Sequence, residues 1–327
     1  MNIGYDISTA TTVAEALEIA QLNWKVKTTP TLYKQTMTPL IKSVGSLKFK
    51  TWEKNVESDK YVAILREDTQ EEFAHVTKRY QLVQNQQAFG WVDKLIQEGG
   101  KFWRAGHFNR GRKVYMLIKQ PIAITMSTGE TIERGIVVST SHDASQSIRV
   151  NWMPFRVHCF NIVGGLIKQA PSVSRHTAQK DSLLTYSAVS NILNSADSYF
   201  ENYQKAIENM AQMVFYNSNL DALIEHVFDT PRSPKDKNRK SNDYLYEQIH
   251  ANFVNGRELY GKTTWEAYNA VCEYIDHQKL VGNKLESRNS DIMQTVEVRQ
   301  YNSLLSSSRG GGNQLRQKAF EYLNGGA

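Results

Sequence analysis

Apolar residues recur along this chain with two different periods, and the change from one to the other divides it. Val13, Ala16, Leu17 and the run Ile19 to Leu22 follow helical spacing. Thr11 or Thr12 stands ready to cap, with Glu15 in the first turn, which predicts a helix over residues 12–23. Lys25 to Lys34 reads as extended chain interrupted by Pro30, and strand patterns follow at Leu47–Trp52, Tyr61–Leu65 and Phe73–Leu82. Asn85 is expected to cap the next helix, whose apolar stripe is Ala88, Phe89, Val92, Leu95 and Ile96 and which Gly99-Gly100 ends. A hairpin is predicted from Lys101–Phe108 and Arg112–Lys119 across the turn Asn109-Arg110-Gly111, and a second turn at Thr128-Gly129 leads onward.

The stretch Arg134 to Asn161, RGIVVSTSHDASQSIRVNWMPFRVHCFN, predicts two strands around a polar turn. Ile136, Val137 and Val138 form a β-branched run, and turn-formers fill Ser139 to Ser147. Ile148, Val150 and Trp152 then alternate with Arg149 and Asn151, so one face is expected to be buried and the other solvated. After Pro154, Val157 and Cys159 continue the apolar face while Arg156 and His158 point the other way. In the simplest register this hairpin gathers Arg134, Arg149 and Arg156.

Beyond Arg175 the period becomes helical. Thr177 to Tyr216 contains neither Pro nor Gly in forty residues, which predicts one or two long helices with a break near Asn194-Ser195. Helices are also expected at Asp221–Phe228, Asp243–Val254 and Thr264–His277, after Asp291, and near the C-terminus. Ser306 to Gly312 reads as a flexible joint, and the basic loop 231–240 as exposed. The expected fold class is α+β: a mixed, mainly antiparallel sheet with packed helices, followed by a helical C-terminal half. That organisation gives a β-rich domain over 1–175 and a helical region over 176–327, which can share one core.

Composition narrows the class. A chain of 327 residues, 40% hydrophobic and 22% charged, is that of a soluble globular protein. No window approaches the ~18 apolar residues of a membrane span, and the start lacks the basic-then-apolar pattern of a secretory signal. Two cysteines, Cys159 and Cys272, far apart and outside any CxxC pair, suit a reducing compartment. The net charge of +6 fits either an ordinary solvated surface or a polyanionic partner.

Catalytic motifs are sparse. His142-Asp143, His158-Cys159 and His176 offer metal-ligand side chains, but no HExxH, HxH or CxxC spacing organises them. There is no GxSxG elbow. The phrase YGKTTW at Tyr260–Trp265 lacks the glycine and apolar strand of a phosphate loop, and reads as a loop ending in a helix cap at Thr263 or Thr264. The β-rich half is poor in strand carboxylates, which weighs against a metal-dependent nuclease. No catalytic residue, metal site or cofactor is therefore expected. What remains is binding. Lys101, Trp103, Arg104, His107, Phe108, Arg110, Arg112, Lys113 and Tyr115 interleave bases with aromatics, and Trp152, Phe155, Arg156 and Phe160 extend the pattern. Such interleaving suits single-stranded nucleic acid, held by phosphate contacts and by stacking of its bases. The competing reading makes these rings core residues and the charges their solvated counterpart.

Six ordered phrases carry a resemblance: YxLVxNxxAF at Tyr80–Phe89, the Gly-turn hairpin Ala105–Tyr115, SHDAS at Ser141–Ser145, RVHCFN at Arg156–Asn161, RHTAQ at Arg175–Gln179 and TxWxxxNAVxEYxDH at Thr263–His277. Together they resemble phage/plasmid-like proteins sharing domain of unknown function number 932. SHDAS has Ala144 where Gly is expected, which bears on the turn type. The resemblance implies a phage or plasmid setting in a bacterial host cytoplasm, and a distant likeness to single-strand annealing recombinases implies DNA held on a sheet, often in rings. The expected function is binding, with ATP-independent annealing, of single-stranded DNA. Arg110, Arg112, Lys113, Arg134, Arg149 and Arg156 would meet phosphates, with Arg175, His176 and Lys180 extending the track. A homo-oligomer is the expected assembly. The alternative is a protein-interaction factor that engages a host or phage replication protein without intrinsic DNA affinity.

Overall fold

The α+β arrangement is realised in a computed structural model that describes residues 4–37, 40–43, 46–49, 52–156, 172–174, 186–230, 239–260, 262–278 and 311–325. In the front half, β1 is Tyr5–Asp6 and α1 is Val13–Ile19. The strands β2 (Val26–Met37), β3 (Leu40–Ser43), β4 (Ser46–Phe49), β5 (Trp52–Arg66) and β6 (Glu72–Thr77) follow, then the short helices α2 (Asn85–Phe89) and α3 (Val92–Gln97). The central strands are β7 (Lys101–Phe108), β8 (Lys113–Lys119), β9 (Ile124–Thr125), β10 (Thr131–Ser141), β11 (Ile148–Arg156) and β12 (Ser172–Ser174). The helical half has α4 (Tyr186–Gln212), α5 (Leu220–Phe228), α6 (Arg239–Tyr260), α7 (Thr264–Glu273) running into a π-turn at Tyr274–Gln278, and α8 (Gly311–Leu323). Among the described residues no helix is long and apolar enough to cross a membrane.

The main sheet has the order β1-β7-β8-β10-β11-β12, with β9 also on β10, and every described strand pair is antiparallel. One face carries Phe102, Met116, Ile118, Ile136, Val138, Val150 and Trp152 into a single apolar cluster that reaches from Ile7 to Leu323. Helices of both halves close over this face: Val13, Leu17, Phe89 and Leu95 from the front, and Phe200, Tyr203, Ile207, Trp265 and Phe320 from the back. The other face holds a second, smaller cluster of Tyr115, Leu117, Val137, Met153 and Phe155. β11 is thus buried on both faces, and alternation along it does not separate core from solvent.

Local expectations mostly hold, and the departures have causes. Thr12 caps α1, its Oγ1 accepting from the Glu15 N–H at 3.3 Å. Thr263 caps α7 in the same way at 3.2 Å from the Glu266 N–H, so YGKTTW does end in a helix cap. Asn85 does not cap α2: Gln84 precedes the helix, and the Asn85 side chain turns into the core. The expected single helix after it is two short ones, parted at Gly90-Trp91. α4 runs unbroken through Asn194-Ser195, both on its solvent side, where polar residues interrupt no packing. The helix expected after Asp291 and residues 231–238 of the basic loop lie outside the described residues, as do residues 306–310 of the glycine joint.

Candidate nucleic-acid interface

The hairpin register decides where the predicted phosphate contacts stand. β10 and β11 pair Ile132 with Arg156, Arg134 with Pro154 and Ser139 with Arg149. Arg134 and Arg156 therefore share one end and one face of the hairpin, and Arg149 lies at its other end on the opposite face. The three are not gathered. Both residues of the first pair turn toward the helical half. Arg134 lies over the Phe200 ring at 4.7 Å and is ion-paired with Asp197 on α4. Arg156 is buried, its Nε donating to Glu130, whose other carboxylate oxygen accepts the Trp265 indole N–H at 2.7 Å. A guanidinium so enclosed has no free donor face for a phosphate, which corrects its placement on the binding track. The expectation that Arg156 lies opposite the apolar residues failed because its face is the main core face, entered here as half of an ion pair.

At the turn end of the sheet, Lys113 pairs with Ser141 and Arg149 with Ser139, on the smaller cluster's face. Arg149 is half-buried, its Nε unpartnered, and burial lowers its pKa because the charged form is poorly solvated there. Arg110 is at the turn, 82% exposed, 3.6 Å from Glu71, and Arg112 donates to the Glu72 carbonyl at 2.9 Å. Arg175, His176 and Lys180 lie outside the described residues, as do Asn161, His158 and Cys159.

The aromatic platform is spent internally. Trp103 stacks on Phe155 at 4.4 Å, with the Lys119 ammonium over both rings, and Phe108 stacks on Tyr115 at 4.5 Å. Trp152 lies on the other face, stacked on Tyr199 of α4 at 5.5 Å. Among the described residues these rings stack in pairs on one another and not in a flat row for bases, and Phe160 lies outside those residues.

A different element is open. β2 and β5 form a long antiparallel ribbon, three-stranded at its base where β6 joins and two-stranded beyond. At the base, Val26, Ile64, Phe73 and Val76 enter the main core. Opposite Thr31, β5 inserts Ser58 to Tyr61, and the buried Ser58 hydroxyl accepts the Tyr61 N–H at 3.0 Å, closing this wide bulge. Past the bulge, Leu32 to Thr36 and Glu53 to Asn55 are exposed, and Leu32 to Met37 alone extend the ribbon by about 20 Å. The connection between β2 and β5 carries the β3–β4 hairpin.

The ribbon also holds the charge. From Val26 to Arg66, the two ribbon strands together with their connection, the sequence has eight Lys or Arg side chains against three acidic ones, a net +5 of the chain's +6, with Lys42, Lys48 and Lys50 in the connection. A window of charge along the sequence finds this arm; strand patterns alone do not, because they do not show which hairpin leaves the core. Its base is fixed by a buried cluster in which Trp24 meets His142 edge-on at 5.2 Å and Phe73 at 6.0 Å. The Arg66 guanidinium lies 4.5 Å over the Trp24 ring. Gly111, at φ +105°, lets the β7–β8 turn approach that cluster, since a Cβ there would crowd Trp24 and Phe73.

Among the described residues no group of three or more His, Cys, Asp or Glu is placed to hold a metal ion. In the helical half, Arg316 of α8 pairs with Asp276, and Asn269 donates to the Trp265 carbonyl. Glu266 is the buried carboxylate with a bare oxygen there. Its carboxyl lies over Gly256 of α6, where any Cβ would collide with it, and Oε2 has no partner. Burial pushes its pKa up to about 7, with Arg156 pulling the other way and Glu130 adding to the rise.

The sequence profile of the family described as domain of unknown function (DUF932) matches residues 72–305, more than two thirds of the chain, and the chain belongs to that family. The match begins at Glu72, so the ribbon from β2 through β5 precedes it. No curated protein and no solved structure matches the chain.

Proposed function

We propose that this DUF932 protein binds single-stranded DNA, and that the β2–β5 arm, not the central sheet, is its contact surface. The observation that carries the reading is the concentration of net +5 over residues 26–66, the ribbon with its β3–β4 connection, whose outer strands are exposed at Leu32 to Thr36 and Glu53 to Asn55. A polyanion is the natural counterpart of such an element. In this scheme the protein works in the host cytoplasm, anneals strands without nucleotide hydrolysis in phage or plasmid recombination, and assembles as a homo-oligomer.

A titration of labelled single- and double-stranded oligonucleotides at low and moderate salt tests it, on the wild type and on the K27Q/K42Q/K54Q/K60Q variant. The expected result is single-strand binding that weakens with salt. The variant's log–log salt slope should be shallower by up to about 3, at roughly 0.7 per lost phosphate contact on a single strand. No binding at low salt, or an unchanged variant, rejects the reading.

A second reading, docking of a replication protein on the helical half, draws on Met213, Val214 and Tyr216. These positions, which flank the buried Phe215 just after α4, are 49%, 62% and 65% exposed. It predicts a stable protein partner lost on M213S/V214S and no salt-sensitive DNA affinity.

A further inference from the structure

The two faces of the outer arm are chemically different. Cross-strand pairing sets Tyr33 opposite Val56 and Gln35 opposite Lys54 on one face, and Leu32 opposite Glu57, Lys34 opposite Asn55 and Thr36 opposite Glu53 on the other. The second face is neutralised locally: Lys34 bridges Glu53 at 2.9 Å, and Lys78, in the turn after β6, reaches Glu57 at 3.6 Å. The first face carries no acid in this segment. It has a phenol ring 51% exposed at Tyr33, the amide of Gln35 and the ammonium of Lys54, all in solvent.

Resting on the reading of the arm as the DNA-contact element, we infer that the Tyr33–Gln35–Lys54 face alone takes the strand. Tyr33 would stack on an unpaired base, and Lys54 would meet the adjoining phosphate. The occupant is single-stranded rather than duplex nucleic acid because an exposed ring face stacks only on a base whose own face is open. In a duplex those faces are covered, and a ribbon in a groove meets base edges instead. The opposite face stays in solvent, its charges already answered by one another.

The test uses two matched pairs of variants in the full chain, with oligo(dT) as probe and duplex DNA and anionic vesicles as competitors. Tyr33→Ala and Leu32→Ala each remove an exposed apolar side chain, from opposite faces. Gln35→Glu and Asn55→Glu each add one negative charge, again from opposite faces. All four positions are exposed or at the ribbon surface, and circular dichroism checks that each variant folds. The expected result is a loss of about 5- to 100-fold for Y33A, no change for L32A, and a larger loss for Q35E than for N55E. Y33W should keep binding, with its fluorescence quenched by the strand. Equal losses from the two faces, or competition by duplex or vesicles as effective as by oligo(dT), overturn the inference. If Y33A binds normally while the four-lysine variant does not, the face assignment fails and the arm reading stands. If the four-lysine variant also binds normally, both fail.

Discussion

Nε2 of His142 stands 2.8 Å from Oδ1 of Asn85, 57 residues away in sequence, with both side chains buried. The Asn85 amide nitrogen donates to the Leu22 carbonyl at 2.8 Å, which fixes the amide's orientation and leaves Oδ1 to accept. His142 must therefore carry its proton on Nε2. The contact ties the turn after β10 to α2, and the rings of Trp24, edge-on to His142, and Phe73, stacked on it, carry that tie into the base of the arm.

Removing one partner strands the other. Asn85→Ala leaves the His142 N–H and the Leu22 carbonyl buried without partners, an expected loss of about 1–3 kcal/mol in urea denaturation. The apolar double replacement N85L/H142F should be closer to wild type than either single change. A double variant as unstable as the sum of the singles would show that the contact is not what links them.

Arg156 and Glu130 make the second long-range polar tie, joining β11 to the loop before β10 and, through Trp265, to α7. Reversing the charge at Arg156 is expected to unfold the protein, not to report on DNA. Arg156→Ala leaves Glu130 buried and uncompensated, a loss of about 3–5 kcal/mol. Arg156→Met with Glu130→Gln should recover much of it. If R156A melts like wild type, the ion pair is not structural and the residue returns to the list of surface contacts.

Ala144 explains the departure from the expected SHDGS-like turn. It has φ +58°, in the left-handed region, where a Cβ costs roughly 1 kcal/mol relative to glycine, and Asp143 accepts the Ser145 N–H at 3.0 Å to hold the turn. The turn has the backbone glycine would favour, with alanine in it. Ala144→Gly should thus raise the denaturation midpoint, with a gain in stability of up to about 1 kcal/mol. A lower midpoint would mean that unfolded-chain entropy outweighs the strain.

The hairpins were readable because their information is local: alternation, a Gly turn, a cap. Lys101–Phe108 and Lys113–Lys119 pair as their pattern implies, through the turn at Asn109–Gly111. What failed was the inference from strand position to exposure. It assumes one wet face, and β11 has none, so Arg156 became part of an ion pair and Trp103, Phe108 and Tyr115 became partners of other rings. The matched phrases behave likewise. Asn85 meets His142, and Trp265 meets the partner of Arg156, so four of the phrases meet in buried polar contacts. The arm was legible only as charge, because its freedom from the core depends on where the β6 pairing stops, at Tyr61 with Thr77.

Glu266 gives the fold a pH dependence of predictable sign. Its folded pKa is about 7, against an ordinary glutamate value of 4.5 in the unfolded chain. Between those values the folded state keeps a proton that the unfolded state has released, so stability falls as pH rises from 4.5 to 7 and levels off above. At roughly 1.4 kcal/mol per unit, the span amounts to a few kcal/mol. Glu266→Gln keeps the shape and the neutral form, and should remove this slope while leaving stability near pH 5 close to wild type. Denaturation midpoints measured from pH 5 to 8 decide the matter. A glutamine variant whose midpoint still falls in parallel with wild type would place the titrating group elsewhere.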